Sequence, residues 1–337
     1  MIKKPTYIHG FTGPEDIVLT PDGSHLLVSG LPPDFLNPTG PALMLVDLAN
    51  DRARPMTIHL RPEPGWGAPD CIPPEQFGTQ GLHVSRRPDG RTQLLAVNHA
   101  GRESVEVFEL IHGADGYEAL WRGGVIFKGG LLNDVVAIPD GGFITTVMLD
   151  HELVGERDPM AFIFSGAKTG YLAEWQEQAG WKRLPGSEAA LNNGVQISAD
   201  ARFVWFAAWI SGEVIEYDLL AQRITRIANM PFQADNLTLN SDGALIVTGI
   251  DDLDYWRECT EAAGGMCKEE LAFTVARLDP ATFKATQLYH GDSGLLQGGA
   301  SVALEIKDAL YIGSYTGERL LKIDMSGVRV GPRPIEI

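Results

Sequence analysis

Apolar residues alternate with polar residues in short runs along most of the chain. In residues 13–23, GPEDIVLTPDG, Ile17 and Leu19 lie on one side of such an alternation, and the letters PDG follow it. A period of two predicts a β-strand, and Pro-Asp-Gly predicts a tight turn. Neither the strand nor the turn explains why two carboxylates, Glu15 and Asp16, stand directly before the alternation.

The same unit recurs along the chain. Each copy has two β-rich runs joined by a short turn, and most copies are followed by another strand that closes on an acid. The six copies are GPEDIVLTPDGSHLLVSG (13–30), TQGLHVSRRPDGRTQLLAVNH (79–99), LNDVVAIPDGGFITTV (132–147), NNGVQISADARFVWFAAW (192–209), ADNLTLNSDGALIVTGI (234–250) and GASVALEIKDALYIGSY (299–315). Six repeats of about four strands predict an all-β fold, a six-bladed β-propeller with four antiparallel strands per blade around a central channel. A β-sandwich explains repeated hairpins but not six copies of one signature. We expect a single domain over residues 1–337.

The residues that precede each apolar alternation occupy equivalent positions at one mouth of the predicted channel. The first positions of the six copies are Glu15, Gln80, Asn133, Asn193, Asp235 and Ala300. The next positions are Asp16, Gly81, Asp134, Gly194, Asn236 and Ser301. Side-chain oxygens dominate both sets, which favours a hard cation and calcium in particular. The alternative is that the Asn and Asp residues only form turns and cap backbone groups.

Charge and hydropathy narrow the classes of partner. The chain has 27 basic and 44 acidic residues and a formal net charge of −17, which disfavours nucleic acids and anionic membrane surfaces. No apolar run is long enough to span a bilayer. The opening MIKKPTYIHGF has two lysines with no apolar segment after them, so no signal peptide is recognisable in it. We therefore expect neither a nucleic-acid partner nor a membrane partner.

The three cysteines leave the compartment open. Cys71 stands alone, whereas Cys259 and Cys267 enclose a polar segment with a Gly-Gly pair, RECTEAAGGMCKEE. The two residues could close a small disulfide loop, which would favour a periplasmic or secreted protein, or remain free thiols in the cytoplasm. A zinc site is not predicted, because no second Cys or His pair lies at ligand spacing.

Several of these segments together resemble the paraoxonase/arylesterase family, in the wider group that includes gluconolactonases and the senescence marker protein. The matching segments are GPEDIVLTPDG, LLAVNHAGRESVEVFEL, LLNDVVAIPDGGFITT, NNGVQIS, ADNLTL and LLQGGASVALEIKDALYIGSYTGERLL, in order over about residues 13–324. The resemblance implies a six-bladed propeller with a catalytic calcium and a second, structural calcium. It also implies hydrolysis of lactones and, in some members, of aryl esters and phosphotriesters.

Carried over position by position, the resemblance assigns ligands to both ions. The catalytic calcium would be held by Glu15, Asn133, Asn193, Asp235 and Asn236. The structural calcium would be held by Asp16, Asp134 and the backbone carbonyl of Leu82. The first set agrees with the ring derived from the repeats.

The catalytic base is where this chain departs from the family. Gln80 stands where paraoxonases have a histidine, and His99 corresponds to the second member of their His dyad. Because glutamine cannot take a proton, we expect Asp235, or His99 through a relay, to activate water. His83 lies near in sequence, but the alternation predicts that it faces away from the channel. The membrane-associating N-terminal helix and the long-range disulfide of the animal enzymes have no counterpart.

Aromatic residues between the repeats are candidates for substrate walls, and they could equally fill gaps between blades: Trp66, Phe77, Trp209 and Trp256. The segment HGDSG around Ser293 is similar to a serine-protease signature, but we interpret it as a turn. Three functions remain compatible with the sequence. They are a calcium-dependent lactonase or esterase, a non-hydrolytic propeller enzyme such as an isomerase, a lyase or a strictosidine-synthase-like enzyme, and a metal-stabilised binding protein.

Overall fold

The computed structural model describes residues 4–114 and 116–326, and these residues form a six-bladed β-propeller, as predicted. The ends of the predicted domain, 1–3 and 327–337, lie outside the described residues. The first strand within the described residues is β1 (Thr6–His9). Blade 1 contains β2 (Ile17–Leu19), β3 (His25–Ser29), β4 (Leu43–Asp47) and β5 (Arg52–Pro55). Blade 2 contains β6 (Ile58–Leu60), β7 (Thr79–Arg86), β8 (Thr92–Asn98), β9 (Ser104–Gly113) and β10 (Gly116–Ile126).

The remaining blades follow in chain order. Blade 3 contains β11 (Gly130–Ala137), β12 (Phe143–Asp150), β13 (Tyr171–Gln176) and β14 (Gly180–Arg183). Blade 4 contains β15 (Asn192–Ile197), β16 (Phe203–Ala208), β17 (Glu213–Asp218) and β18 (Arg223–Asn229). Blade 5 contains β19 (Gln233–Leu239), β20 (Leu245–Ile250), β21 (Phe273–Asp279) and β22 (Lys284–Gly291). Blade 6 contains β23 (Val302–Ile306), β24 (Ala309–Gly313) and β25 (Arg319–Asp324), and β1 completes it.

The ring is closed by the first strand of the chain. Strand β1 pairs antiparallel with β25, with Tyr7 opposite Leu321. This pairing joins a strand from the start of the chain to the last blade by backbone hydrogen bonds, so it holds the two ends of the ring together. The repeat pattern does not predict it, since the TYIH segment lacks the turn that marks the other units.

Two further features differ from the sequence analysis. Blade 2 has a fifth strand, because β6 pairs parallel with β10. Within the described residues, three helices occupy connections between strands of the predicted all-β fold: α1 (His151–Val154), α2 (Pro159–Phe164) and α3 (Leu253–Ala263). The side chain of Asp252 caps the start of α3 by accepting the Tyr255 amide, and Gly264 ends the helix in the left-handed conformation. Both residues are standard helix-boundary signals.

The core lies between the blades. Most apolar clusters join facing residues of neighbouring sheets, as Val97 of blade 2 packs with Val135 of blade 3 in one cluster and Trp205 of blade 4 with Leu237 of blade 5 in another. Removal of these faces from water at about 25 cal/mol per Å² is the main force that holds the blades together. The inner strands are therefore fixed relative to one another.

The cysteine pair left open by the sequence is a disulfide in the structure, between Cys259 on α3 and Cys267. Cys71 is free and partly buried. None of the helices in residues 4–114 and 116–326 is long and apolar enough to cross a membrane.

Candidate metal centre in the central channel

The inner strands of the six blades form a closed ring. Strand β2 packs against β7, and the contacts continue through β11, β15, β19 and β23 back to β2. Symmetry therefore gathers residues from distant parts of the chain around one axis, as the repeat pattern predicts. The first and second positions of each copy lie at the start of these strands.

A break in strand pairing occurs at the candidate ligands. The register shifts between Thr79 and Leu82 in β7, between Leu132 and Val135 in β11, between Asn192 and Val195 in β15, and between Ala234 and Leu237 in β19. The two residues inside each shift are the first and second positions of the repeat. Bulges of this kind re-aim side chains next to functional sites. Here they free the backbone and side chains of both positions from the ordinary ladder.

Unpaired oxygens mark the centre of this ring. Within the described residues, Glu15 Oε2, Asn133 Oδ1 and Asn236 Oδ1 are buried and have no hydrogen-bond partner. The other ends of two of these groups are held: Asn236 Nδ2 donates to Glu15 Oε1 at 2.9 Å and to the Glu15 carbonyl at 3.1 Å. Buried oxygens are rarely left unpaired in folded proteins. These three oxygens belong to residues of blades 1, 3 and 5, and each is left without a donor.

The carboxyl groups of the ring are buried, and their negative charges repel one another. Burial, and then the Asp235 and Asp16 charges, raise the pKa of Glu15 well above its ordinary range. Burial also raises the pKa of Asp235 well above its ordinary range, although the Asn193 and Trp209 side chains donate hydrogen bonds to it and oppose the shift. Buried carboxyls that repel one another are stabilised in their charged form by a nearby cation.

The donor set fits calcium better than zinc. In residues 4–114 and 116–326, three or more His, Cys, Asp or Glu side chains nowhere converge so as to hold a metal by themselves. Two carboxylates and three amide oxygens instead occupy the ring, at Glu15, Asn133, Asn193, Asp235 and Asn236. All-oxygen sets that mix carboxylate and amide groups are characteristic of calcium.

The carboxylates predicted to hold a second ion are engaged by backbone amides. Asp16 Oδ1 accepts the Ile17 amide and Oδ2 accepts the Leu82 amide, both at 2.7 Å. Asp134 makes the equivalent pair of contacts with the Val135 and Val195 amides, also at 2.7 Å. Burial raises the pKa of Asp16 to about 6 against the effect of these donors. Leu82 thus meets Asp16 through its amide, and a second calcium at this position stays a prediction.

Two glycines of the second positions allow the ring to close tightly. A Cβ on Gly81 would lie 2.3 Å from Asp134 Oδ1, and a Cβ on Gly194 would lie 2.4 Å from the Cα of Asn236. Real Cβ atoms do not approach this closely, so the inner strands pack at these points only because a side chain is missing. This steric limit explains why Gly81 and Gly194 stand at second positions next to Asp134 and Asn236 of the following blades.

A chain of hydrogen bonds runs outward from Glu15. Gln80 Nε2 donates to Glu15 Oε1 at 3.4 Å, and Gln80 Oε1 lies 2.6 Å from His99 Nε2. His99 Nδ1 lies 2.9 Å from Glu103 Oε2, and the Phe35 ring stacks on the imidazole at 4.7 Å. His99 therefore reaches the pit through Gln80 rather than directly. Glu103 was missed by the sequence analysis, because it lies in the turn between β8 and β9, outside the repeat pattern.

His83 plays no part in this chain of contacts. It is opposite Leu95 across the β7–β8 ladder, and burial lowers the pKa of its imidazole to about 4. At neutral pH this side chain is uncharged.

The candidate aromatic walls separate into two groups. Trp66 and Phe77 are packed within the blade 2 region, with Trp66 under the Arg87 guanidinium and Phe77 against Phe108. These two residues fill gaps between blades.

Ser293 is exposed and lies in a turn, as expected for the HGDSG segment.

Trp209 and Trp256 belong to the other group, beside the pit. Trp209 donates to Asp235 and meets Trp256 edge-on at 4.8 Å. Trp256 lies on α3, and its Nε1 donates to the Tyr315 hydroxyl at 2.7 Å. An aromatic cluster thus contacts the metal-ligand candidate Asp235 on the side where α3 packs.

Solved structures share the fold of this chain at low sequence identity. No protein-family model and no curated protein matches the chain. A luciferin-regenerating enzyme matches over 99% of both chains at 13% identity, with a TM-score of 0.56. A "putative gluconolactonase" matches over 99% of this chain and 94% of its own at 14% identity and a TM-score of 0.51. A virginiamycin B lyase from Staphylococcus aureus, crystallised with quinupristin, matches over 95% and 99% at 10% identity and 0.50. At these identities the likeness establishes the propeller fold.

Proposed function

We propose that this protein is a calcium-dependent lactonase, with the ion held by Glu15, Asn133, Asn193, Asp235 and Asn236. The observation that carries the proposal is the set of three unpaired, buried oxygens on blades 1, 3 and 5. Leaving buried acceptors unsatisfied costs about 1–3 kcal/mol each, and a calcium ion would remove this cost. The neighbour named for gluconolactonase activity and the resemblance to paraoxonases support the choice of reaction.

The chemistry follows from the groups around the pit. When bound, calcium would supply Lewis-acid polarisation of the substrate carbonyl, an effect often worth several kcal/mol. Asp235 receives the proton of the attacking water in this proposal, because it is the buried carboxylate whose orientation is fixed by two donors, Asn193 and Trp209. General-base assistance of this kind contributes roughly a hundred- to ten-thousand-fold.

Gln80 and His99 keep a supporting role in the proposal. The Gln80 amide cannot take a proton, but it donates to Glu15 and so holds a ligand oxygen in place. His99 acts one residue further out, by fixing the Gln80 amide. The replacement of the paraoxonase histidine by Gln80 therefore moves base catalysis to Asp235.

The substrate class is a small lactone or ester with an apolar part. Trp209 and Trp256 lie beside Asp235 and offer an aromatic surface. Aryl esters, which some paraoxonases hydrolyse, are included in this class. The net charge of −17 disfavours nucleic-acid substrates and anionic lipid surfaces. A periplasmic or secreted location is proposed on the basis of the Cys259–Cys267 disulfide.

The proposal is tested by metal analysis combined with a panel of lactones and aryl esters. We expect calcium to copurify or to bind on titration, hydrolysis to stop on chelation with EDTA, and calcium to restore it. Asn193→Ala should abolish turnover, whereas Asn229→Ala, an exposed position on β18, should leave it unchanged. Equal rates for the Asn193→Ala variant and the wild type would count against this site.

Two other outcomes would favour the alternative functions. The likeness to a lyase on the same scaffold supports a non-hydrolytic enzyme as second candidate. Turnover that depends on calcium but incorporates no oxygen from labelled water into the product would indicate such a reaction. Loss of stability on chelation with no turnover on any substrate would indicate a metal-stabilised binding protein.

A further inference from the structure

We propose that Glu103 is a positioning residue for the metal centre, and that its single carboxylate orients calcium ligands on two different blades. The inference rests on the function proposed above and extends it to a residue outside the channel ring. Glu103 lies between β8 and β9, and its side chain is 17% exposed. Each of its two oxygens begins a separate path to a candidate ligand.

The first path leads to blade 1. Glu103 Oε2 contacts His99 Nδ1 at 2.9 Å, and His99 Nε2 contacts Gln80 Oε1 at 2.6 Å. With its oxygen engaged by the imidazole, the Gln80 amide presents Nε2 to Glu15 Oε1. Glu15 Oε2 then remains as the unpaired oxygen. The direction of the Gln80 amide thus determines which atom faces the ligand, and His99 sets that direction.

The second path leads to blade 3. Glu103 Oε1 accepts the backbone amide of Leu132 at 2.6 Å. Leu132 is the last paired residue before the register shift of β11, and Asn133 with its unpaired Oδ1 follows directly. Without this acceptor the Leu132 amide would lose its partner at the point where the bulge begins. Glu103 therefore anchors the backbone from which Asn133 projects.

The imidazole between these groups is held on all sides. The His99 side chain is 1% exposed, and Phe35 stacks on it with the two rings 20° from parallel. Two hydrogen bonds and a stacked aromatic ring hold the buried imidazole in one orientation, so the imidazole also fixes the orientation of the Gln80 amide. Partners behind metal ligands typically change metal affinity or activity by about 10–100-fold when they are removed.

Two substitutions of Glu103 distinguish the role of its hydrogen-bond contacts from the role of its negative charge. Glu103→Ala removes both paths. Glu103→Gln keeps an oxygen for the Leu132 amide and offers an N–H to His99 Nδ1, which leaves the Nε2–H to donate to Gln80 Oε1. Glu118→Ala is the matched control, because Glu118 Oε2 makes a similar contact with His59 Nε2 at 3.0 Å on the surface of blade 2.

The test is calcium titration of the three variants and the wild type by calorimetry. We expect Kd to rise about 10–100-fold for Glu103→Ala, by a smaller factor for Glu103→Gln, and not at all for Glu118→Ala. Thermal unfolding of the metal-free proteins checks whether each variant is folded. A folded Glu103→Ala protein that binds calcium with wild-type affinity overturns the inference. If Glu103→Ala does not fold, then wild-type calcium affinity in Glu103→Gln overturns it instead.

A second readout follows His99 in the metal-free protein. In spectra of protein labelled with ¹⁵N at histidine, the Nδ1 and Nε2 resonances of His99 should shift in Glu103→Ala and Glu103→Gln but not in Glu118→Ala. Unchanged His99 resonances in Glu103→Ala would contradict the first path. If the wild type takes up no calcium, the proposed function fails and this inference fails with it. If the wild type binds calcium and the Glu103 variants bind it with the same Kd, the inference is wrong but the proposed function stands.

Discussion

The carboxylate of Asp134 on blade 3 accepts the backbone amide of Val195 on blade 4 at 2.7 Å. Asp16 makes the same contact from blade 1 to the Leu82 amide on blade 2. Each aspartate also accepts the amide of the residue that follows it. These two side chains tie neighbouring inner strands together at the points where strand pairing is interrupted, so they contribute to the fold as well as to the charge of the channel.

Removal of Asp134 should therefore destabilise the protein. Asp134→Ala leaves the buried amides of Val135 and Val195 without this acceptor, at about 1–3 kcal/mol each. Burial and then the Asp16 charge raise the pKa of Asp134, and relief of both effects offsets part of this cost. We expect the free energy of unfolding to fall by roughly 2–4 kcal/mol in urea denaturation without calcium.

The control for this experiment is Asp242→Ala. Asp242 pairs with Arg277 on the surface, with a side chain that is 68% exposed, and its removal should change stability by less than about 0.5 kcal/mol. If the two variants lose the same amount, the contact between Asp134 and Val195 contributes nothing specific.

A methyl group at Gly194 should damage both packing and metal binding. A Cβ there would lie 2.4 Å from Asn236 Cα and 2.7 Å from the Leu237 amide nitrogen. Overpacking typically costs about 1–3 kcal/mol, and relief of the clash must displace the strand that carries Asn236. We expect Gly194→Ala to lower the unfolding free energy and to weaken calcium binding. Gly265→Ala is the control, since an added Cβ would meet no heavy atom within 4 Å in the described structure. Equal behaviour of the two variants would show that the inner strands have more room than these distances imply.

The propeller and the membership of its inner ring were predictable from the sequence. Alternating apolar residues followed by a Pro-Asp-Gly or Ser-Asp-Gly turn repeat at each inner strand, so equivalent positions can be aligned without coordinates. Glu15, Asn133 and Asn236 were identified in this way, and the structure leaves an oxygen of each unpaired. Local periodicity is sufficient here because radial symmetry converts sequence repeats into spatial proximity.

Contacts made between different kinds of element were not predictable. Glu103 lies in a turn of blade 2, where it contacts His99, and it also contacts Leu132 of blade 3. No repeat in the sequence marks this residue. The pairing of β1 with β25 joins opposite ends of the chain. The start of α3 depends on the Asp252 cap, which the polar character of the segment obscured. The Glu103 contacts and the β1–β25 pairing depend on the relative position of distant segments, which follows only from the completed ring, whereas the Asp252 cap is a local signal that the sequence analysis missed.

The indole of Trp209 should matter to the reaction as a hydrogen-bond donor. Trp209→Phe keeps an aromatic ring against Trp256 but removes the donor to Asp235. The negatively charged form of Asp235 loses a stabilising contact, worth about 1.5–3 kcal/mol for hydrogen bonds to charged groups. We expect kcat to fall by about tenfold or more, with a smaller change in KM.

The matched control is Trp205→Phe. The Trp205 indole also donates to a carboxylate, Glu216 Oε2, at 3.1 Å, but within blade 4 and away from the channel. Its loss should lower stability without changing kcat. A drop in kcat of equal size in both variants would mean that the effect of Trp209 arises from general loosening of blade 4.

Removal of the disulfide should loosen the helix that carries Trp256. Cys259 lies on α3, and the Cys267 carbonyl accepts the Thr316 hydroxyl at 3.1 Å, so the bond joins α3 to a segment fixed on blade 6. For a loop of this size the constraint contributes roughly 2–3 kcal/mol. The variant with both Cys259→Ser and Cys267→Ser should unfold at lower urea concentration, and dithiothreitol should shift the wild type in the same direction, since the dithiol reduces the bond to two thiols.

The same double variant should also change substrate binding. Because Trp256 packs on Trp209 beside Asp235, KM for aromatic substrates should rise more than KM for small aliphatic lactones. Cys71→Ser should change none of these quantities. An unaltered KM ratio would show that α3 holds its position through packing and the Trp256–Tyr315 hydrogen bond without the disulfide.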